Sequence, residues 1–240
     1  MLRRIGDEIW SHENDVRLPG GLLLPSRATI VRLGDGALVL HSPLAIDDAT
    51  ARRIGALGDV RFLLAPNCLH WMFLKAAKER YPKARIFGAP GVEKKLGALP
   101  FEPLPEAGHI GAIGEDLHLE RVQGVPFMSE HAMFHQRSRS LIVTDLLFNV
   151  HHCRNFMMNL FLRLVGAHNK TAQSRIWRLL VKDRAAAARS VSKILRWDFE
   201  HLVVAHGDVV SDDARERARR ALSWMADDRL PLLGTGSAVG

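Results

Sequence analysis

The chain has 240 residues, of which 47% are apolar, 25% charged and 7% aromatic. This is the make-up of a globular protein and excludes a long disordered, collagen-like or membrane-embedded chain. The 33 Lys and Arg against 26 Asp and Glu give a formal charge of +7, which suits an anionic partner. However, much of the excess sits on helical stretches such as Arg215, Arg217, Arg219 and Arg220, where a solvated face accounts for it.

In chain order, the first forty residues read as strands broken by turns, at 15–18, 22–24, 28–33 and, after Gly34-Asp35-Gly36, 37–41. A helix over 46–57 follows Asp47 and Asp48, and the continuous apolar run 60–65 is short enough for a buried strand. Helical spacing returns over 69–81 and stops at Pro82, before a short strand at 85–87 and a turn at 88–91. Beyond a Pro- and Gly-rich connection (100–114) come strand-like runs at 117–122, 131–134 and 140–145. Residues 156–197 are mostly helical, 201–205 form a strand, and Ser211 caps a last helix carrying Ala214, Ala218, Ala221, Leu222 and Met225 on one face. The tail from 232 to 240 reads as flexible. No repeat or long linker divides the chain, so residues 1–240 read as one α/β domain of layered sheets and helices.

Two isolated cysteines, Cys68 and Cys153, exclude a disulfide framework and fit a reducing compartment. The N-terminus lacks the apolar segment of a leader, and no run reaches the ~18 apolar residues of a spanning helix. These features predict a cytoplasmic protein with no membrane partner. With no nucleic-acid-binding motif, a nucleic-acid partner is not expected either.

Ligands of α/β folds gather beyond the carboxyl ends of strands. Three apolar runs end in polar residues: 60–65 into Pro66-Asn67-Cys68-Leu69-His70, 141–144 into Asp145, and 202–205 into His206-Gly207-Asp208. If those strands are neighbours, His70, Asp145 and His206 converge. Two imidazoles and a carboxylate with open positions suit zinc or iron, and such an ion brings the pKa of a bound water toward ~7. Taken singly, each residue also admits a structural role.

The strings Pro66-Asn67-x-x-His70 and Thr144-Asp145-Leu146-x-Phe148-Asn149 resemble the metallo-β-lactamase-like superfamily. Within it, they are similar to an uncharacterised family of unknown function, over residues 15–225. The resemblance implies a four-layer αββα sandwich with two mostly antiparallel mixed sheets and helices outside. In the superfamily a strand leads into His-x-His-x-Asp-His; here Ala65 and Asn67 fall on the first two histidines, Leu69 on the aspartate and His70 on the last histidine. Pro126 falls on the next superfamily histidine, with His131 and His135 nearby, while Asp145 matches the bridging aspartate and His206 the final histidine. The retained set His70, Asp145 and His206 therefore resembles one half of a two-metal centre. It implies a single divalent metal, zinc or iron, assisted by Asn67 or Asp208, or a relic with no metal. Asp145 and Asp208 are the candidate catalytic carboxylates.

Other residues are weighed beside these. His151 and His152 lie in a loop after the Asp145 strand and offer replacement ligands or substrate contacts, with exposed loop histidines as the plainer reading. His131 and His135 sit four apart on one strand face. Glu130 is a candidate base or an exposed carboxylate. The run Phe156-Met157-Met158-Asn159-Leu160-Phe161 reads as core or pocket wall. Three functions follow: a mononuclear metal-dependent hydrolase of a small ester, lactone, thioester or phosphoester, its small-molecule substrate neutral or anionic; a non-catalytic binding or interaction protein on the same fold; and, less supported, a nucleic-acid-processing relative.

Overall fold

A computed structural model describes residues 2–226. The chain opens with β1 (Leu2–Gly6), β2 (Ile9–Leu18), β3 (Leu22–Arg32), β4 (Leu38–His41), α1 (Asp48–Gly55), β5 (Val60–Ala65), α2 (Leu74–Arg80), β6 (Arg85–Gly88), α3 (Glu93–Leu96) and β7 (Glu102–Pro103). The seven strands form one sheet in sequence order, antiparallel as far as β4 and parallel from β4 to β7. A second sheet collects β8 (Ala107–His109), β9 (Leu117–Arg121), β10 (His131–His135), β11 (Ser140–Val143) and β14 (His201–Val204), in the order β14-β11-β10-β9-β8. Its β11/β14 pair is parallel and its other pairs antiparallel. Between β11 and β14 lie a small ribbon of β12 (Phe148–Asn149) and β13 (Thr171–Ala172) and the helices α4 (Phe156–Leu164), α5 (Arg175–Leu180) and α6 (Arg184–Ile194). Helix α7 (Ala214–Leu222) follows β14.

Alternation along the strands builds the layers. Val31, Val39, Phe62, Leu64, Leu119, Met133, Ile142 and Val203 point between the two sheets and fill one core. Their neighbours Ile30, Leu38, Leu40, Leu63 and Ala65 point outward and pack under α1 and α2. On the other flank Leu141, Val143, Leu202 and Val204 meet Trp177, Val191 and Leu222 of α5, α6 and α7. The order is helix, sheet, sheet, helix, as the resemblance implies.

Several local expectations are corrected. The opening strands at 15–18, 22–24 and 28–33 are parts of one long hairpin, in which Asp15 is paired with Pro25. Pro25 is tolerated because β4 pairs only with residues 29–32 of β3, so the missing N–H costs no ladder bond on that side. The helix expected over 69–81 begins at Leu74, because Asn67 Oδ1 accepts from the backbone N–H of Leu69 (2.8 Å) and His70 (2.9 Å) and holds a turn there. Ser211 does not cap the last helix; Asp213 precedes it in a left-handed conformation, and Ser211 Oγ lies 3.1 Å from His201 Nδ1. The Phe156–Phe161 run is not core: Met158 is buried, whereas Phe156, Met157, Leu160 and Phe161 are exposed. The tail expected to be flexible lies outside the described residues. No helix among the described residues is long and apolar enough to cross a membrane.

Candidate metal centre

The parallel pairs β4/β5 and β11/β14 aim their carboxyl ends at one place. From β4 and β5 of the first sheet come Ser42, Asn67 and His70; from β11 and β14 of the second come Asp145 and His206. Cross-links close the sandwich here. The Cys68 N–H donates to the Met128 carbonyl (3.0 Å), His131 N–H to the Pro66 carbonyl (2.9 Å) and Arg27 N–H to the Ala205 carbonyl (2.7 Å). The peptide after His206 needs glycine: Gly207 has φ +100°, and a Cβ there would lie 2.1 Å from the Asn149 carbonyl oxygen. That close approach lets Asn149 N–H donate to the His206 carbonyl (3.0 Å), fixing the backbone of the ligand strand.

One His70, Asp145 and His206 atom each lie within 4.8 Å of one another. His70 Nε2 is 3.2 Å from Asp145 Oδ2 and His206 Nε2 is 3.5 Å from Asp145 Oδ1. The far side of each ring is anchored. His206 Nδ1 lies 3.0 Å from the Pro25 carbonyl oxygen and its ring stacks on Phe148 with centroids 5.1 Å apart, while His70 Nδ1 meets Ser42 Oγ. A carbonyl only accepts, so His206 Nδ1 carries a proton, and Nε2 is the nitrogen left facing a carboxylate oxygen. This is how metal-ligating histidines are held, with one nitrogen on the ion and the other N–H on a fixed acceptor. The donor set therefore fits a divalent ion.

In the metal-free chain these groups form an ion pair. Burial disfavours the His70 imidazolium, but the Asp145 charge and hydrogen bond outweigh it and raise His70 above the ordinary histidine value. Burial alone would raise the Asp145 carboxyl; the two imidazoles instead hold it well below the usual carboxylate range.

The opposite side of Asp145 is closed. Asn67 Nδ2 donates to Asp145 Oδ2 and Glu130 Oε2, both at 2.7 Å, and lies 2.9 Å from Thr144 Oγ1. Glu130 also accepts from Thr144 N–H (2.7 Å) and Thr144 Oγ1 (2.6 Å). Glu130 is thus buried rather than exposed, and is saturated with donors rather than facing a cavity as a base would. Burial and the Asp145 charge raise its carboxyl, against those donors.

The remaining candidates lie apart. His131 is buried, with Nδ1 on the Ser129 carbonyl (2.9 Å) and Nε2 without a partner; His135 is buried with Nδ1 on Ser138 Oγ (2.7 Å). His151 contacts Asn169 and Asn149, and His152 is exposed. Asp208 is exposed, and its backbone, not its carboxylate, binds Asn149. The sequence reading assigned no role to Ser42, Pro25 or Trp177, whose indole N–H donates to the Asp145 carbonyl (2.6 Å). Ser42 carries one local signal, a polar residue just past the strand at 37–41.

The three ligand candidates open onto a cavity of about 280 Å³. Its walls are Val16, Leu18, Leu24, Leu44, Leu69, Trp71, Met72 and Phe73; among the described residues of the lining, Ser26 and Ser42 are the only hydroxyls and there is no Lys or Arg.

Solved structures share this fold. A metallo-β-lactamase from Erythrobacter litoralis is similar at 16% identity and a TM-score of 0.63, over 93% of this chain and 96% of its own. Another from Pontibacter korlensis is similar at 11% identity and a TM-score of 0.60, over 93% and 98%. The metal-soaked flavodiiron core of Flv1 from Synechocystis sp. PCC6803 is similar at 14% identity and a TM-score of 0.65, over 94% of this chain and 60% of its own. No protein-family model and no curated protein matches the sequence.

Proposed function

We propose that this chain, which has the metallo-β-lactamase fold, is a mononuclear metal-dependent hydrolase of a small ester, lactone or thioester with an apolar substituent. The observation that carries the reading is the orientation of the His206 ring: anchored through Nδ1, it turns Nε2 toward Asp145 beside His70, so that the three ligand atoms lie within 4.8 Å of one another. His70 and His206 would hold the ion through Nε2 and Asp145 through a carboxylate oxygen. A divalent ion there would supply Lewis acidity toward a carbonyl oxygen and lower the pKa of a bound water.

The chain's own groups do the rest. Ser42 and the Pro25 carbonyl orient the two imidazoles. Asp145, kept ionised, would balance the ion's charge. The apolar wall excludes solvent and seats the substituent; at ~30 Å³ per water-sized group, 280 Å³ holds about nine such groups. With no Lys or Arg among the described lining residues, a neutral substrate suits the cavity better than an anionic one.

Metal analysis of protein purified without added metal tests the proposal. The expected result is about one zinc or iron per chain, lost in His70→Ala and in His206→Ala. A wild-type chain that holds no tightly bound metal and takes up none from one equivalent of zinc overturns it. Leu69, apolar where the superfamily motif has its aspartate, favours the second reading of a non-catalytic binding protein. That reading, of a chain that has lost the metal centre, predicts apolar ligand binding with no tightly bound metal and no turnover of any ester.

A further inference from the structure

Helix α4 is apolar almost all round: of its nine residues only Asn159 and Arg163 are polar. A helix of that kind is normally covered on every side. Here the described residues cover one face only. Met158 and Leu162 pack with Val150 and Ala167 against Leu18, Leu22 and Leu24, while Phe156 (77% exposed), Met157, Leu160, Phe161 and Leu164 (67%) face outward. Neighbouring α5 adds Ile176 and Leu179, also exposed.

The charge around this face has one sign. Residues 146–182 contain Arg154, Arg163, Lys170, Arg175, Arg178 and Lys182 and no Asp or Glu. All six are exposed and none is ion-paired among the described residues. Beside the apolar face, Lys170, Arg175, Arg178 and Arg220 line a cavity of about 390 Å³ together with Thr171 and Gln173. Arg220 is paired with Glu216, but no carboxylate is among the described residues of the lining.

We propose that α4 and α5 dock the protein on an anionic lipid surface, the outward apolar side chains entering the acyl boundary and the cationic cavity taking a phosphodiester headgroup. Apolar insertion and cationic attraction are the two components of interfacial binding, and each is present beside the other. A symmetric pairing of two copies would set two acid-free cationic surfaces against each other, which the charge opposes. The proposal replaces the sequence expectation of a chain with no membrane partner, and it stands independently of the metal centre. Leu18 and Leu24 line the metal-side cavity and also support α4, so docking brings that cavity near lipid.

Co-sedimentation of the full chain with phosphatidylcholine vesicles, with and without one third phosphatidylglycerol, tests it. The wild type is expected to partition at least about tenfold more strongly onto the anionic vesicles. Phe156→Ser/Leu160→Ser/Leu164→Ser, which alters only exposed side chains and no charge, is expected to lose at least about tenfold. Lys170→Gln/Arg175→Gln is expected to lose about twentyfold at low salt. Circular dichroism of both variants checks that they fold. The proposal fails if the triple variant partitions like the wild type, since binding is then basic adhesion alone. It also fails if inorganic phosphate binds the cavity while vesicles do not, or if sedimentation velocity finds a dimer that the triple variant dissolves.

Discussion

The two sides of Asp145 are built from the same strand ends and reach opposite solutions. On the open side, His70 and His206 present nitrogens to its carboxylate, and the three groups face a cavity. On the closed side, where the resemblance sets the lost histidines, the Asn67 carboxamide bridges Asp145 and Glu130, and Thr144 supplies further donors. The difference teaches that a buried carboxylate is stabilised either by a cation or by enough neutral donors, and that one residue can be served by both at once.

The sharpest way to break this comparison is to remove the neutral bridge. Asn67→Ala deletes charge-assisted hydrogen bonds to two buried carboxylates and frees the N–H groups of Leu69 and His70. The expected cost is about 3–5 kcal/mol, read from the urea midpoint. A loss below about 1 kcal/mol would mean that water replaces the carboxamide and that the side is not closed.

The pH dependence separates His70, on the open side, from two buried histidines that lie apart from Asp145, with opposite signs. His131 and His135 are buried neutral, and burial lowers both to about 4. The unfolded chain takes up protons near the ordinary histidine value, so their contribution to stability is complete above about pH 6.5 and is lost as pH falls toward about 4. The expected loss is about 3 kcal/mol for each across that window. His70, raised above its ordinary value in the metal-free chain, does the reverse: its contribution is complete below about pH 6.5 and is lost as pH rises through the elevated value. Urea unfolding of the chelated chain from pH 8 to pH 4.5 should resolve a net loss on the acid side that His135→Asn reduces. A flat profile in both proteins sinks the assignment.

Much of this arrangement was legible in the residues. The runs ending at Ala65, Thr144 and Ala205 could be read because parallel strands buried on both faces are nearly continuous apolar runs, broken here only by Arg61, and a polar residue follows each within two positions. The gathering of His70, Asp145 and His206 was legible only as a condition, since it depends on β11 lying beside β14 across some sixty intervening residues. Glu130 was misread because it precedes a strand next to Ser129, a surface-like context, and its donors Asn67 and Thr144 are remote in sequence. Ser42 and Pro25 act through one hydroxyl and one backbone carbonyl, which no side-chain pattern announces. The exposed face of α4 was taken for core on composition, because composition records how apolar a helix is and not which sides the chain covers.

Anchoring gives a smaller effect on the open side. Ser42, in a left-handed backbone conformation with φ +54°, holds His70 Nδ1. Ser42→Ala leaves the three ligands in place but frees the ring, and zinc affinity measured against a chromophoric chelator should fall 10- to 100-fold. Unchanged affinity would assign Ser42 to the turn alone.

The smallest effect belongs to a residue that position in sequence makes attractive. Asp208 lies two residues beyond His206, where an auxiliary carboxylate could reach the ion, yet its side chain is exposed and outside the cavity lining. What Asp208 contributes runs through its main chain: its N–H donates to the Asn149 carbonyl (2.9 Å) and its carbonyl accepts from Asn149 Nδ2 (2.9 Å). Asp208→Asn preserves both bonds, so stability should stay within about 0.5 kcal/mol and metal content should be unchanged. A variant that loses its metal would require the carboxylate to swing onto the ion, making the open side a four-ligand site with less room for substrate.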